Sequence, residues 1–202
     1  MDDTKKLQDR SQNADPRPKG SNTRPKVMSR LPPDVELRPG TCADLAAIND
    51  IYNYYVAETH ITFDIEPWDL AARQKWLNGH GSRGRHRLLV LLRGGFVQGY
   101  ATSAPVRPKR AYETSVETTI YLAPSACGEG LGRYLYARLL ELIGLEDIHR
   151  AYAAIALPNP ASIRLHERLG FRRVGVFTEQ GRKFGRYWDV AWYERPMSGV
   201  GP

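Results

Sequence analysis

The run Leu157-Pro158-Asn159-Pro160-Ala161-Ser162-Ile163-Arg164-Leu165-His166-Glu167-Arg168-Leu169-Gly170-Phe171 links two apolar segments through one helical pattern. Ala161 to Leu169 reads as a helix stopped by Gly170, with strands over Ala151–Ala156 before it and Phe171–Phe177 after it. Ser162, His166 and Leu169 share a helix face through their i, i+4, i+7 spacing. A single histidine on a helix is most often a satisfied structural residue. This one shares its face with a small polar side chain.

Outward from this unit, strand and helix patterns alternate as they do in α/β or α+β chains. Val35–Arg38 reads as a strand, and Thr41 with Asp44 resembles a capping box before Leu45, Ile48, Ile51, Tyr52 and Tyr55 at helical spacing. A second helix is expected over Leu70–Leu77. Strands over His86–Leu92 and Phe96–Ala104 flank the hairpin signal Arg93-Gly94-Gly95. Thr114–Leu122 reads as a strand, Leu131–Ile143 as a helix, and Tyr187–Tyr193 as the last strand. The predicted order is β-α-α-β-β-β-α-β-α-β-β, without an internal repeat.

Composition limits what such a chain can be. Its 202 residues are 42% apolar and 25% charged, as in an ordinary globular protein, and no apolar run approaches the roughly 18–20 residues of a spanning helix. The formal charge of +7 suggests an anionic partner: nucleic acid, a membrane surface, or a small phosphate- or carboxylate-bearing molecule. Residues 1–34 hold eight Lys/Arg, five Asp, five Pro and no aromatic residue. That composition predicts a disordered polar extension without a secretory h-region, ahead of a domain over 35–197 and a short tail over 198–202. The extension carries +3 of the charge, which leaves +4 for the rest. Two cysteines, Cys42 and Cys127, form no spaced framework, which fits a reducing cytoplasm.

Two further stretches bear chemistry. Cys127-Gly128-Glu129-Gly130-Leu131-Gly132-Arg133 lies between a strand end and a helix start. Glycines there let consecutive N–H groups face outward, and the helix terminus adds partial positive charge, together a cradle for phosphate or pyrophosphate. It is neither a Walker loop nor the dinucleotide fingerprint G-x-G-x-x-G. In Val116-Glu117-Thr118-Thr119-Ile120-Tyr121-Leu122, alternation puts Glu117, Thr119 and Tyr121 on one face and Val116, Thr118, Ile120 and Leu122 on the other. A carboxylate in such a strand needs a partner or a task.

Taken together, the glycine loop and the pattern from Asn159 to Phe171 resemble the GNAT acetyltransferase superfamily. Phe63-x-x-Glu66-Pro67, Ala111-Tyr112, Glu117-x-x-x-Tyr121 and Gly181-x-Lys183-x-Gly185-x-x-x-Asp189-Val190, with His166 where the superfamily usually has tyrosine, are similar to its phosphinothricin/methionine-sulfoximine N-acetyltransferase branch. The resemblance spans about Val35 to Met197. It implies an α+β fold, a central mixed and mostly antiparallel sheet flanked by about four helices. Cys127 departs from the pattern, standing where the loop usually has Gln or Arg.

The resemblance also implies acetyl-CoA as cosubstrate, no metal, and direct acetylation of the α-amine of a small anionic amino-acid analogue such as L-phosphinothricin or methionine sulfoximine or sulfone. Glu117 is the implied general base. His166 occupies the place of a thiolate-protonating tyrosine, and a second-base role is equally compatible. Backbone at Ile120, Tyr121 and Leu122 is assigned to the thioester and pantetheine, Gly128, Glu129, Gly130, Leu131, Gly132 and Arg133 to the pyrophosphate, and Asn159 to the pantetheine arm. Phe63, Arg107, Lys109, Tyr112, Thr118 and Thr119 are assigned to the substrate, the two cations matching its acidic groups. A homodimer is implied as well.

Other signals point nowhere in particular. His80 stands where a G-x-S-x-G elbow at Gly81-Ser82 would need glycine, and the five histidines show no metal spacing. Rival readings are a GNAT enzyme acting on another amino acid, amine or protein N-terminus, and a basic nucleic-acid-binding protein. The second would need clustered aromatic residues interleaved with Arg on an open face, and the charge of the extension is instead diluted by five Asp.

Overall fold

Leu88-Leu89-Val90-Leu91-Leu92 is apolar at every position, the signature of a strand covered on both faces. A computed structural model, which describes residues 31–197, bears this out. Leu89 and Leu91 enter one core and Leu88, Val90 and Leu92 the other. The expected extension over 1–34 and tail over 198–202 lie outside the described residues, except for 31–34, where Leu31 packs against the larger core.

The elements are β1 (Val35–Pro39), α1 (Leu45–Glu58), α2 (Leu70–Leu77), β2 (Leu88–Arg93), β3 (Phe96–Pro105), β4 (Ser115–Leu122), α3 (Leu131–Ile143), β5 (Arg150–Ala156), α4 (Pro160–Arg168), β6 (Arg172–Lys183) and β7 (Arg186–Pro196), joined in places by single 3-10 turns. Seven strands form one sheet in the order β1-β2-β3-β4-β5-β7-β6. Only β4 and β5 run parallel; all other neighbours are antiparallel. This is the mixed, mostly antiparallel sheet with four helices that the sequence implied.

Helix α3 presents Leu131, Leu135, Tyr136, Leu139, Leu140 and Ile143 to one side of the sheet, and α4 adds Ile163 and Leu165 there. On the opposite side, α1 supplies Ile48 and Ile51, and Trp76 and Leu77 of α2 pack beside them. At the start of α1 the capping pair forms as expected: the Thr41 N–H donates to Asp44 Oδ2 at 2.8 Å. Arg38 also holds that carboxylate in a two-pronged pair, which lowers the Asp44 pKa.

One expectation needs correction. The final hairpin is longer than Phe171–Phe177 and Tyr187–Tyr193: β6 continues to Lys183, and its turn is Phe184-Gly185, both at positive φ. β6 is an edge strand, exposed along most of its length, so no burial pattern marks its polar half. Between Phe177 and Gly181 the register slips, and Glu179 at φ 53° donates its N–H to Asp189 Oδ1 at 2.8 Å.

Candidate active site

Pairing between β4 and β5 lasts only three residues: Ser115 with Arg150, Val116 with Ala151 and Glu117 with Tyr152. Beyond Glu117 the strands part. The gap becomes a cleft of about 600 Å³, walled by Thr118–Leu122 of β4, Ala154–Ala156 of β5, the glycine loop and one side of α4.

The glycine loop forms one end of this cleft. Gly128 and Gly130 have φ of 85° and 80°, which a Cβ would strain, and Gly130 is the N-cap of α3. Gly132 sits close to the strand: an added Cβ would lie 3.3 Å from Leu122 Cδ1, a tight contact, and 3.6 Å from Ile120 Cδ1. Arg133 faces the cleft beside the helix terminus. Glu129 is tied to Arg93 at the end of β2 at 2.5 Å, so its charge is paired away from the cradle's N–H groups. Cys127 is exposed, with Sγ 3.8 Å from the Tyr55 hydroxyl. Of the residues assigned to a cofactor, Ile120, Tyr121, Leu122, Gly128, Glu129, Gly130, Gly132, Arg133 and Asn159 line the cleft, while the Leu131 side chain is core. Asn159 also caps α4, its Oδ1 accepting from the Ser162 N–H at 3.1 Å.

The two faces of β4 divide as the alternation required. On the α3 side, Thr118 is buried, its hydroxyl 2.6 Å from Tyr136 Oη and 3.1 Å from the Tyr152 carbonyl. Tyr136 Oη lies 3.0 Å from His166 Nε2, and His166 Nδ1 lies 2.8 Å from the Ser162 carbonyl. A carbonyl only accepts, so the ring proton sits on Nδ1, and Nε2 accepts from the Tyr136 hydroxyl. Burial lowers the His166 pKa, which favours the neutral ring. Tyr136 is the member of this chain that sequence reasoning missed. It lies 30 residues from His166, and no local pattern marks the pair.

On the other side, Glu117 shares a face with Thr119 and Tyr121. Burial raises the Glu117 pKa, and the nearby Arg107 charge lowers it to a lesser degree. The Tyr121 phenol, more deeply placed, is pushed up to about 12, chiefly by desolvation. Thr119 lines the cleft. Arg107, Lys109 and Tyr112 sit on the exposed connection between β3 and β4. Arg107 reaches Glu117 by charge alone, and neither Lys109 nor Tyr112 belongs to the cleft wall. Phe63 packs its ring on Gly181, where a Cβ would come within 2.4 Å.

That contact belongs to a clasp the sequence did not reveal. Buried Lys183 donates from Nζ to the Thr62 carbonyl at 2.9 Å, and His60 stacks on Trp188 with ring centroids 3.9 Å apart. The β6–β7 arm thereby grips the α1–α2 connection. Lys183 stood in the quoted motif, but its partner lay far away in sequence.

Residues 37–192 match the family described as "Acetyltransferase (GNAT) domain". The chain belongs to the GNAT acetyltransferases. This GNAT chain is 56% identical over 166 residues to a phosphinothricin N-acetyltransferase of Streptomyces coelicolor, covering 81% of this chain and 97% of that one. It is 36% identical over 160 residues to an L-methionine sulfoximine/L-methionine sulfone acetyltransferase of Pseudomonas aeruginosa, covering 79% and 93%. A GNAT superfamily phosphinothricin acetyltransferase from Sinorhizobium meliloti, solved in complex with AcCoA, superposes with a TM-score of 0.78 at 33% identity, over 83% of this chain and 91% of that one. The GNAT features described above, the parted strands and the glycine loop, fall within the matched region. Among the described residues no helix is long and apolar enough to cross a membrane, and no His, Cys, Asp and Glu residues gather as a metal site.

Proposed function

We propose that this chain acetylates the α-amine of a small amino-acid analogue of the L-phosphinothricin or methionine sulfoximine/sulfone type, using acetyl-CoA. The observation that carries this reading is the half-buried Glu117 carboxylate, placed where β4 and β5 separate and raised in pKa by desolvation.

The cleft fits the cosubstrate. A cleft of this size between parted strands has room for the cosubstrate's arm, and the loop from Gly128 to Arg133 offers N–H groups and a cation for a pyrophosphate. Bound there, acetyl-CoA supplies an acetyl group already activated as a thioester. The protein's own residues do the rest. Glu117 accepts the ammonium proton, directly or through water, and a raised pKa makes it a better base than an ordinary carboxylate. The freed amine then attacks the thioester carbonyl, the C–S bond breaks, and the proton shed by the new amide nitrogen is matched by the one the departing thiolate takes up. Backbone groups at Ile120–Leu122 orient the acetyl carbonyl. Arg107 and Lys109 draw in the acidic substrate, with Thr119, Phe63 and Tyr112 around it; Thr118, expected there as well, instead faces α3 and is held by Tyr136 and the Tyr152 carbonyl. Of the two roles open to His166, accepting a proton suits a neutral ring better than donating one. A homodimer is part of the same proposal, checked by a sedimenting mass of twice the chain's 22.8 kDa.

The test is thiol release from acetyl-CoA across a panel of amines. L-Phosphinothricin, methionine sulfoximine and methionine sulfone should be turned over in preference to ordinary amino acids and to peptides with free N-termini. Preference for peptides, or no turnover with any member, would overturn the assignment.

A further inference from the structure

A second cavity, of about 160 Å³, opens on the Glu117 face of β4. Thr119 and Tyr121 belong to the walls of both cavities, so the two adjoin. The β3–β4 register sets Thr102 opposite Thr119 and Ala104 opposite Glu117. Glu117 and Thr119 are therefore successive residues on one face, about 6.6 Å apart along the strand. The small cavity begins one such step from the carboxylate.

Its other wall is Arg73 of α2, only 1% exposed. The Nε–H donates to Asn49 Oδ1 at 3.1 Å. Tyr52, Trp68 and Trp76 surround the guanidinium, with ring centroids 4.4, 4.3 and 4.8 Å from its central carbon. These contacts account for its place in the packing. They leave two things unexplained. Nη2 has no hydrogen-bond partner, and among the described residues no carboxylate comes within ion-pair distance of Arg73. A buried guanidinium whose Nη2 has no protein partner, beside a cavity lined by hydroxyls and aromatic rings, calls for an acceptor there.

We propose that Arg73 and its aromatic walls receive the polar head at the end of the substrate's side chain, a compact tetrahedral group carrying a methyl and at least one oxo oxygen. This rests on the reading given under Proposed function and adds the residue that selects within that substrate class. Methylphosphinate, methylsulfoximine and methylsulfone heads share this shape. The oxo oxygen accepts from Arg73 Nη2 and from a hydroxyl of Thr102 or Thr119, and the methyl lies against Tyr52 and Trp68. With the α-amine at Glu117, a two-carbon linker spans the step between the two positions. Plain thioether or alkyl side chains would leave the guanidinium unpaired and are rejected for that reason.

The experiment compares wild type, Arg73→Met and Thr102→Val in two readouts. The first is tryptophan fluorescence during titration with dimethylphosphinate, the head alone, because Trp68 and Trp76 flank Arg73. Wild type should give a saturable change that Arg73→Met abolishes. The second is the ratio of kcat/KM for methionine sulfone over norleucine. It should fall at least about 30-fold in Arg73→Met and about 5-fold in Thr102→Val, with KM for acetyl-CoA unchanged. A folded Arg73→Met with an unaltered ratio and titration overturns the proposal. Should Arg73→Met not fold, Thr102→Val decides, and wild-type behaviour in both readouts overturns it. An Arg73-dependent titration in a wild type that acetylates none of the panel keeps this receptor and removes the substrate reading instead. No titration response in wild type removes the receptor.

Discussion

The two faces of β4 carry similar groups in opposite conditions. Toward α3, the Thr118 hydroxyl, the Tyr136 phenol and both His166 nitrogens have partners, with the one Thr118 proton shared between Tyr136 Oη and the Tyr152 carbonyl. Toward α2, Arg73 Nη2 is orphaned and Glu117 is desolvated, offset only in part by the Arg107 charge. A satisfied polar network fixes the geometry of a core, whereas unsatisfied groups are costly unless something else completes them. One strand thus has its polar groups satisfied on one side and left wanting on the other, a single step along the chain changing the face.

The contrast predicts that equivalent changes on the two faces will be read out in different quantities. Glu117→Gln should lower kcat by about 10²–10⁴-fold with acetyl-CoA binding and melting temperature preserved, by steady-state kinetics and calorimetry. An equal loss of stability would make Glu117 a structural group instead. Tyr136→Phe should do the reverse. It leaves His166 Nε2 buried without a donor and costs about 1–3 kcal/mol in urea unfolding, with a smaller change in kcat.

A subtler outcome concerns pH. Protonated Glu117 is inactive as a base, so kcat/KM should fall as pH drops through its raised pKa. Arg107 favours the charged carboxylate, and Arg107→Gln should move that acid limb to higher pH. A limb that stays in place would separate the two groups. The smallest effect belongs to the loop. Cys127→Ser should leave KM for acetyl-CoA within about twofold, as for most exposed substitutions. A bulky alkyl group on Cys127 should raise it by obstructing the cleft. Unaltered activity after complete alkylation, verified by mass spectrometry, would clear Cys127 of any contact with the cosubstrate.

Periodicity made most of this legible. Alternation along Val116–Leu122 separated the faces correctly, and the helical spacing in α3 and α4 placed both helices within a residue or so of their observed bounds. What stayed hidden was relational. That β4 leaves β5 after Glu117 is a matter of register between distant strands. Arg73 lies on a short helix with little apolar order, so its burial could not be foreseen from α2 alone; the aromatic rings that shelter it come also from α1 and from Trp68. The polar half of β6 looked like a loop because an exposed edge strand needs no hydrophobic pattern.

The Lys183 clasp bears on the order in which the molecule is assembled. Its hydrogen bonds to Thr62 and Tyr55 join residues 121 and 128 positions apart, so each closes a loop containing most of the sheet. Closing so long a loop is unfavourable until shorter-range pairings have brought its ends together. The β2–β3 hairpin and α3 can form early from neighbouring residues, whereas the grip of the β6–β7 arm on the α1–α2 connection waits for almost the whole chain. The clasp beside Phe63 is therefore expected to close last, after the sheet behind it is built.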